Sequence, residues 1–291
     1  MIHRSVMLNE VIEYLEVGTG SKIIDATLNG GGHSVGILEK YPDAKILGIE
    51  FDPDIFQEFQ RSSIASKISA INDTYTNIKN ISEEYSFQPD GIIFDLGISS
   101  WHYERSKRGF TFMKDEPLDM RFNPRVNEQT AADIVNKLSR EEIENVIADY
   151  GEEKFAPQIA KSIVEERRNR PIVNTSKLVE IINSSVPPWY RRQKIHPATK
   201  TFQALRIAVN GELDNVASGV ISAIDILKSG GRLIVISFHG LEDKIVREIF
   251  KQKTKNGIVR WVVKGTIKPK WEEIRQNPRA RSAKMKIIEK L

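Results

Sequence analysis

The stretch Lys22-Ile23-Ile24-Asp25-Ala26-Thr27-Leu28-Asn29-Gly30-Gly31-Gly32-His33-Ser34 decides the fold. Its first four residues read as a short buried strand that ends in a carboxylate. A glycine-rich loop follows, then a helix to about Lys40, stopped by Pro42. This is the opening of a parallel α/β unit, in which each crossover carries a helix. The same rhythm repeats outward. Residues 44–49 form a second strand closed by Glu50, and a helix starts near Pro53, a residue suited to a first turn. Residues 68–71 form a third strand, and residues 91–94 a fourth, closed by Asp95. Upstream, Leu8, Val11, Ile12 and Leu15 mark one helix face that stops near Gly18.

The rhythm breaks from about 103 to 205, where helix signals replace strands. Thr130 caps a helix running to Leu138, and Ser139 with Glu142 has capping-box spacing for the next, which Gly151 stops. Further helices are expected over residues 154–168 and after Thr175-Ser176, and Pro187-Pro188 ends that run. The α/β pattern then resumes. Val209, Leu213, Val216, Val220, Ile224 and Leu227 keep a 3.6-residue period over one long helix, ended by Gly230-Gly231. Strands are expected at 232–237, 258–263 and 284–289, with a helix at 241–251 and a basic loop before the last strand. The reading is an α/β domain over residues 1–102 and 206–291, interrupted by a helical insert over 103–205.

The 291 residues carry 43 Lys+Arg against 39 Asp+Glu, a net charge of +4. The balance hides an asymmetry: residues 1–100 are net −8, residues 151–200 net +5 and residues 251–291 net +10. Clustered Lys and Arg bind phosphates through counterion release, although each run could equally be solvated surface. Cysteine is absent, which excludes disulfide scaffolds, Cys-ligated zinc, iron–sulfur clusters and thiol nucleophiles. No apolar run approaches the ~18 residues of a membrane span, and Met1 to Ser5 lacks the apolar core of a signal peptide. A cytoplasmic protein is expected.

Ligands of open α/β sheets bind at the carboxyl ends of the strands. Those ends hold Asp25 with the glycine loop, Glu50 placed for two ribose hydroxyls, Tyr75 with a ring for an adenine, and Asp95. Together they describe an adenosine-containing cofactor. The dinucleotide fingerprint fails at Val35, where its third glycine belongs, and His33-Ser34 replaces the Lys-Ser/Thr of a P-loop. The common D-x-G-x-G-x-G methyltransferase pattern also fits poorly, because Thr27 and Asn29 stand where glycines belong. A tight turn before a helix is the plain structural alternative.

Residues 25–34 resemble the D-x-T-x-x-x-G-G-H-S loop of the bacterial small-subunit rRNA (cytosine-N(4))-methyltransferases, the MraW or RsmH family. Asp95 to Ser100 is similar to the family's D-L-G-V-S-S, Arg108 to Phe112 to R-G-F-S-F, and Pro117 to Arg121 to P-L-D-M-R. His196 to Arg206 resembles H-P-A-T-R-T-F-Q-A-L-R, and Ser237 to Asp243 and Asn277 to Ser282 complete the set. The resemblance implies a class I, Rossmann-like methyltransferase sheet with a helical insert, and S-adenosyl-L-methionine as donor. It implies as target the N(4) amine of a cytidine in the decoding region of 16S rRNA, with the rRNA or the small ribosomal subunit as partner. A homodimer is also in keeping with it; a membrane or a metal is not. Carried over by motif, the cofactor contacts are Gly31, Gly32, His33, Glu50, Tyr75, Asp95 and His102. Glu50 stands where the family usually has Asp, His102 where it usually has Gln, and Gly240 where it usually has Ser.

Methylating an amine needs an acceptor for the departing proton. Asp95 is the first candidate for that catalytic role and Asp119 the second. Trp101, His102 or Phe110 could stack the base. Arg191-Arg192-Gln193-Lys194 is the expected rRNA contact, and His196 and His239 are expected to pack rather than ligate. Two other readings stay open: a nicotinamide-dependent oxidoreductase, and a non-catalytic RNA-binding module on the same fold.

Overall fold

Near-continuous apolar runs make the central strands, because a parallel sheet covered on both faces needs no polar alternation. The computed structural model describes residues 5–291; the N-terminal reading over Met1 to Arg4 lies outside them. The chain runs α1 (Leu8–Leu15), β1 (Lys22–Asp25), α2 (Gly32–Lys40), β2 (Lys45–Glu50), α3 (Pro53–Gln60), β3 (Ser69–Asn72), α4 (Ile78–Glu84) and β4 (Gly91–Asp95). Helices follow: α5 (Ser100–Glu104), α6 (Ala131–Lys137), α7 (Arg140–Gly151), α8 (Ala156–Arg167), α9 (Thr175–Ser185), α10 (Pro188–Arg191), α11 (Ala198–Asn210) and α12 (Glu212–Ile226). The chain closes with β5 (Arg232–Ser237), α13 (Gly240–Lys255), β6 (Val259–Trp261), α14 (Trp271–Gln276) and β7 (Lys284–Lys290).

Two compact units result. One takes the residues up to Ile98 together with Leu213–Leu291, the other Ser99–Glu212. The first unit is a seven-stranded sheet in the order β3-β2-β1-β4-β5-β7-β6. β1 to β5 pair in parallel, and β7 runs antiparallel between β5 and β6. Alternate side chains face opposite sides. Ile23, Ile93, Ile234 and Ile236 join Val11, Leu15 and Ile37 in one core. Ile24, Ile92, Phe94, Leu233 and Val235 join Val216, Val220, Ile224 and Phe250 in the other.

The second unit is helical. Ile143, Ile147, Ile159, Ile163, Leu178, Ile182 and Leu205 are its buried face. Capping boxes start α6 at Thr130/Asp133 and α7 at Ser139/Glu142, which satisfies first-turn amides that the helix itself leaves open. The segment between α5 and α6 has no regular structure and is held by side chains. Thr175 Oγ1 accepts the Glu116 amide at 3.0 Å and donates to Lys114 O at 2.7 Å. Arg108 donates to the carbonyls of Arg121 and Phe122 at 2.8 and 2.9 Å, so the R-G-F-T-F and P-L-D-M-R segments meet.

Several elements differ from expectation. The helix expected from Val209 to Leu227 is two helices, because Gly211 takes a left-handed φ of 57° and caps α11. α7 ends at Gly151 as expected, but the left-handed residue that follows is Glu152, at φ 49°. Gly151 also lets α11 approach, since a Cβ there would lie 2.7 Å from the Lys200 carbonyl oxygen. Pro187-Pro188 opens the one-turn helix α10 instead of ending the helical run. α14 sits inside what read as a basic loop. Gly151→Ala is expected to cost about 1–3 kcal/mol through overpacking; urea unfolding measures it, and an unchanged midpoint would show that α11 can yield there.

Candidate active site at the carboxyl edge of the sheet

Parallel pairing brings Asp25 of β1, Glu50 of β2 and Asp95 of β4 to the same edge, and the turn after β1 ties them together. Thr27 Oγ1 accepts the Asp95 amide at 2.7 Å. The Asn29 amide donates to Glu50 Oε2 at 2.8 Å, and the Asp52 amide donates to Glu50 Oε1 at 2.8 Å. Asp25 Oδ2 accepts from Ser34 Oγ at 2.7 Å, which fixes the first turn of α2 to the end of β1. Gly31, at φ 74°, caps α2; a Cβ there would meet Phe59 at 2.9 Å. The amides of Gly32, His33 and Ser34 form the open first turn of α2, a natural seat for an anionic group.

His33 turns its ring inward. Its Nε2 lies 2.9 Å from the Val6 carbonyl, which can only accept, so Nε2 carries the hydrogen. Nδ1 is left facing Asp95 Oδ2 at 3.7 Å. The adjoining Met7 amide donates to Glu273 Oε1 of α14 at 2.7 Å, so the N-terminal segment joins His33 to the C-terminal region.

Asp25 and Glu50 are buried and Asp95 is largely so, and desolvation is what raises all three. Desolvation pushes Asp95 up to about 6; His33 opposes it, and Asp25, Glu242 and Glu273 add to it. Desolvation, reinforced by Asp52 and Asp25, pushes Glu50 up to about 8 against its two amide hydrogen bonds. Asp25 is raised for the same reason, against His33 and Ser34. Asp25 Oδ1 and Asp95 Oδ1 are buried with no hydrogen-bond partner. Orphaned acceptors in a desolvated anionic edge suit a ligand that brings hydroxyls and positive charge.

Tyr75 opens the short turn after β3. Its ring packs edge-on to Phe94, centroids 5.4 Å apart, and lies over Gly219 of α12, where a Cβ would come within 2.6 Å of it. The other two sequence candidates belong to the helical unit. His102 is buried in α5 between Phe110 and Phe122, centroids 4.8 and 5.0 Å away. Asp119 gives both oxygens to Arg121, at 2.9 Å to Nε and 2.7 Å to Nη2, and so raises the Arg121 pKa. His239 caps α13 and His196 stacks on Phe112. Sequence reading missed the roles of Thr27, Asn29 and Ser34. The signal was present as the fixed Thr and Ser of the motif, but only the folded turn shows what they hold.

In the unfolded chain Glu50 has the ordinary carboxylate range near 4.5, and in the folded chain it is held near 8. Its contribution to stability is therefore full below about 4.5 and lost as pH rises through about 8. Glu50→Gln cannot titrate, so its stability relative to the parent should rise from about pH 5 to about pH 9. Urea unfolding at both pH values tests this; a constant difference would put Glu50 back in the ordinary range.

The MraW methylase family model matches residues 1–291. Ribosomal RNA small subunit methyltransferase H of Persephonella marina is 40% identical over 292 residues, covering 99% of each chain. Its namesake from Dictyoglomus thermophilum is 43% identical over 294 residues, covering 99% of this chain and 97% of its own. Among solved structures, an rRNA methylase from Streptococcus thermophilus aligns over 100% of this chain and 99% of its own, at 10% identity and a TM-score of 0.45. The motif resemblance is borne out, and the nicotinamide oxidoreductase reading is overturned by the family match. The fold is the expected class I, Rossmann-like sheet. No described helix is long and apolar enough to cross a membrane. The chain belongs to the MraW methylase family and is a methyltransferase.

Proposed function

We propose that the chain transfers a methyl group from S-adenosylmethionine to the N(4) amine of a cytidine in the decoding region of 16S rRNA. The observation that carries the donor is the buried edge with its orphaned oxygens on Asp25 and Asp95. The relatives' printed function supports rRNA of the small subunit as substrate. The residues present fit the donor. Glu50 would take the ribose hydroxyls on its remaining lone pairs, Tyr75 would border the adenine, and the Gly32 and His33 amides would take the carboxylate. The carry-over at His102 rests on the motif alone. When bound, the donor supplies an electrophilic methyl group on a sulfonium that leaves as a neutral thioether.

The chain's own groups would handle the proton. A new N–C bond forms as the S–C bond breaks, and the amine must lose one hydrogen as H⁺. Asp95 Oδ1 is free to accept an N–H from the amine, which localises its lone pair, and then to take that proton. His33 Nδ1 faces Asp95, and when the imidazole is protonated its charge opposes protonation of Asp95. Asp119 is the weaker acceptor because Arg121 occupies both its oxygens. Asp95→Asn should lose about a hundredfold or more in turnover while still binding donor; full activity would remove Asp95 from the chemistry.

Ionised Asp95 and Glu50 favour a cationic donor, and protonation removes that charge. Donor affinity should therefore rise with pH between about 6 and 8. Calorimetric titration across that range checks it, and flat affinity would place the charge recognition elsewhere. Mass mapping of rRNA after incubation with donor tests the target; methylation at a site other than a cytidine amine would overturn it.

A further inference from the structure

The helical unit carries a rigid aromatic platform at the head of a basic loop. Tyr190 is buried, and its hydroxyl donates to Glu153 Oε2 at 2.6 Å. Glu153 is itself 2% exposed, and its other oxygen accepts the Phe155 amide at 2.9 Å. This anchor fixes the single turn of α10, yet Trp189, one residue earlier, is 53% exposed. The Trp189 ring is cornered by Phe155 and Tyr190, with centroids 6.0 and 5.7 Å away, and the Lys154 ammonium lies 4.4 Å from its centroid. Residues 191–196 are then all exposed. Arg191, Arg192 and Lys194 have no acidic partner among the described residues. At the far end of the loop His196 is an exposed ring held flat on Phe112, with centroids 4.8 Å apart and planes 18° apart.

The part of the Trp189 ring left in water gains nothing for the fold, and three cations without acidic partners beside it repel one another. Both costs are relieved by one kind of ligand. A single strand of RNA offers unstacked bases for the ring and phosphates for the cations. An apolar protein surface would meet the ring but leave the cations buried and unpaired. We propose that residues 189–196 bind single-stranded RNA, with an unpaired base stacked on Trp189 and the backbone held by Arg191, Arg192 and Lys194. This deepens the rRNA reading above and rests on it for the biological source of the strand.

The test is the affinity of the full-length protein for an unstructured oligoribonucleotide and for deproteinised small-subunit rRNA, measured across a salt series. Trp189→Ala should weaken both about tenfold with no change in salt slope, and Trp189→Phe should recover most of the loss. Replacing Arg191, Arg192 and Lys194 together by alanine should flatten the slope by about two. Unchanged thermal unfolding of Trp189→Ala would show that only the surface was altered. Unchanged RNA affinity of Trp189→Ala would overturn the proposal. So would a loss seen only on assembled subunits, which would make the loop a dock for a ribosomal protein. Methyl transfer by the parent protein is scored separately. A parent that methylates rRNA while Trp189→Ala binds normally sinks this proposal alone. A parent whose RNA binding needs Trp189 but that methylates none sinks the rRNA reading alone.

Discussion

Three desolvated carboxyl groups at one edge of a parallel sheet are the constraint on which the sheet unit depends. Asp25, Glu50 and Asp95 stand there because β1, β2 and β4 run parallel and end at the same edge, β2 and β4 two residues beyond the level of Asp25, and each is desolvated. Burying a carboxyl is costly unless its oxygens are met or its proton retained. The turn after β1 meets part of that cost. Thr27, Asn29 and Ser34 reach in three directions from one short segment, to β4, β2 and the end of β1 itself. The glycines that follow let the same segment close under the helix. What the turn does not satisfy, Asp25 Oδ1 and Asp95 Oδ1, is what makes the edge receptive.

The α/β part of the fold was legible because its signals are local. A buried parallel strand is a short apolar run, and Asp25, Glu50 and Asp95 each punctuate one. Strand boundaries moved by about one residue, as they do when only pattern is used. Gly211 sits unremarked inside an expected helix and Gly151 reads only as a helix end, because a glycine can serve either backbone conformation or close approach, and sequence alone does not say which. At 211 it is conformation, with φ 57°. At 151 it is space for the Lys200 carbonyl.

The site was legible only as a set of residue types. Motifs named His33, but not that its ring turns from the loop to the Val6 carbonyl and Asp95. Tyr75 read as a ring for an adenine, whereas the fold also packs it on Phe94 and Gly219, so its position is set before any ligand arrives. Asp119, read as a proton acceptor, instead closes a bidentate pair with Arg121 two residues on. Each case turns on which neighbour the tertiary structure supplies, and that information is non-local.

The charge asymmetry of the chain takes on a chemical sense in the proposed reaction. A cationic donor and a neutral amine become a neutral thioether and a methylated amine, and the positive charge leaves as a proton. The unit must therefore favour a cation and then release a proton, without a group so basic that it keeps it. In the proposed reaction Asp95, held near 6, would answer both demands. At neutral pH it is mostly ionised and would attract the donor, yet it lies close enough to neutrality that it would carry the proton briefly. His33 sets the balance. Were burial unopposed, the carboxyl would hold its proton more firmly; the imidazole 3.7 Å away, when protonated, pulls it back toward the ionised form. The inward turn of that ring, fixed by the Val6 carbonyl, would thus bear on the proposed chemistry through Asp95.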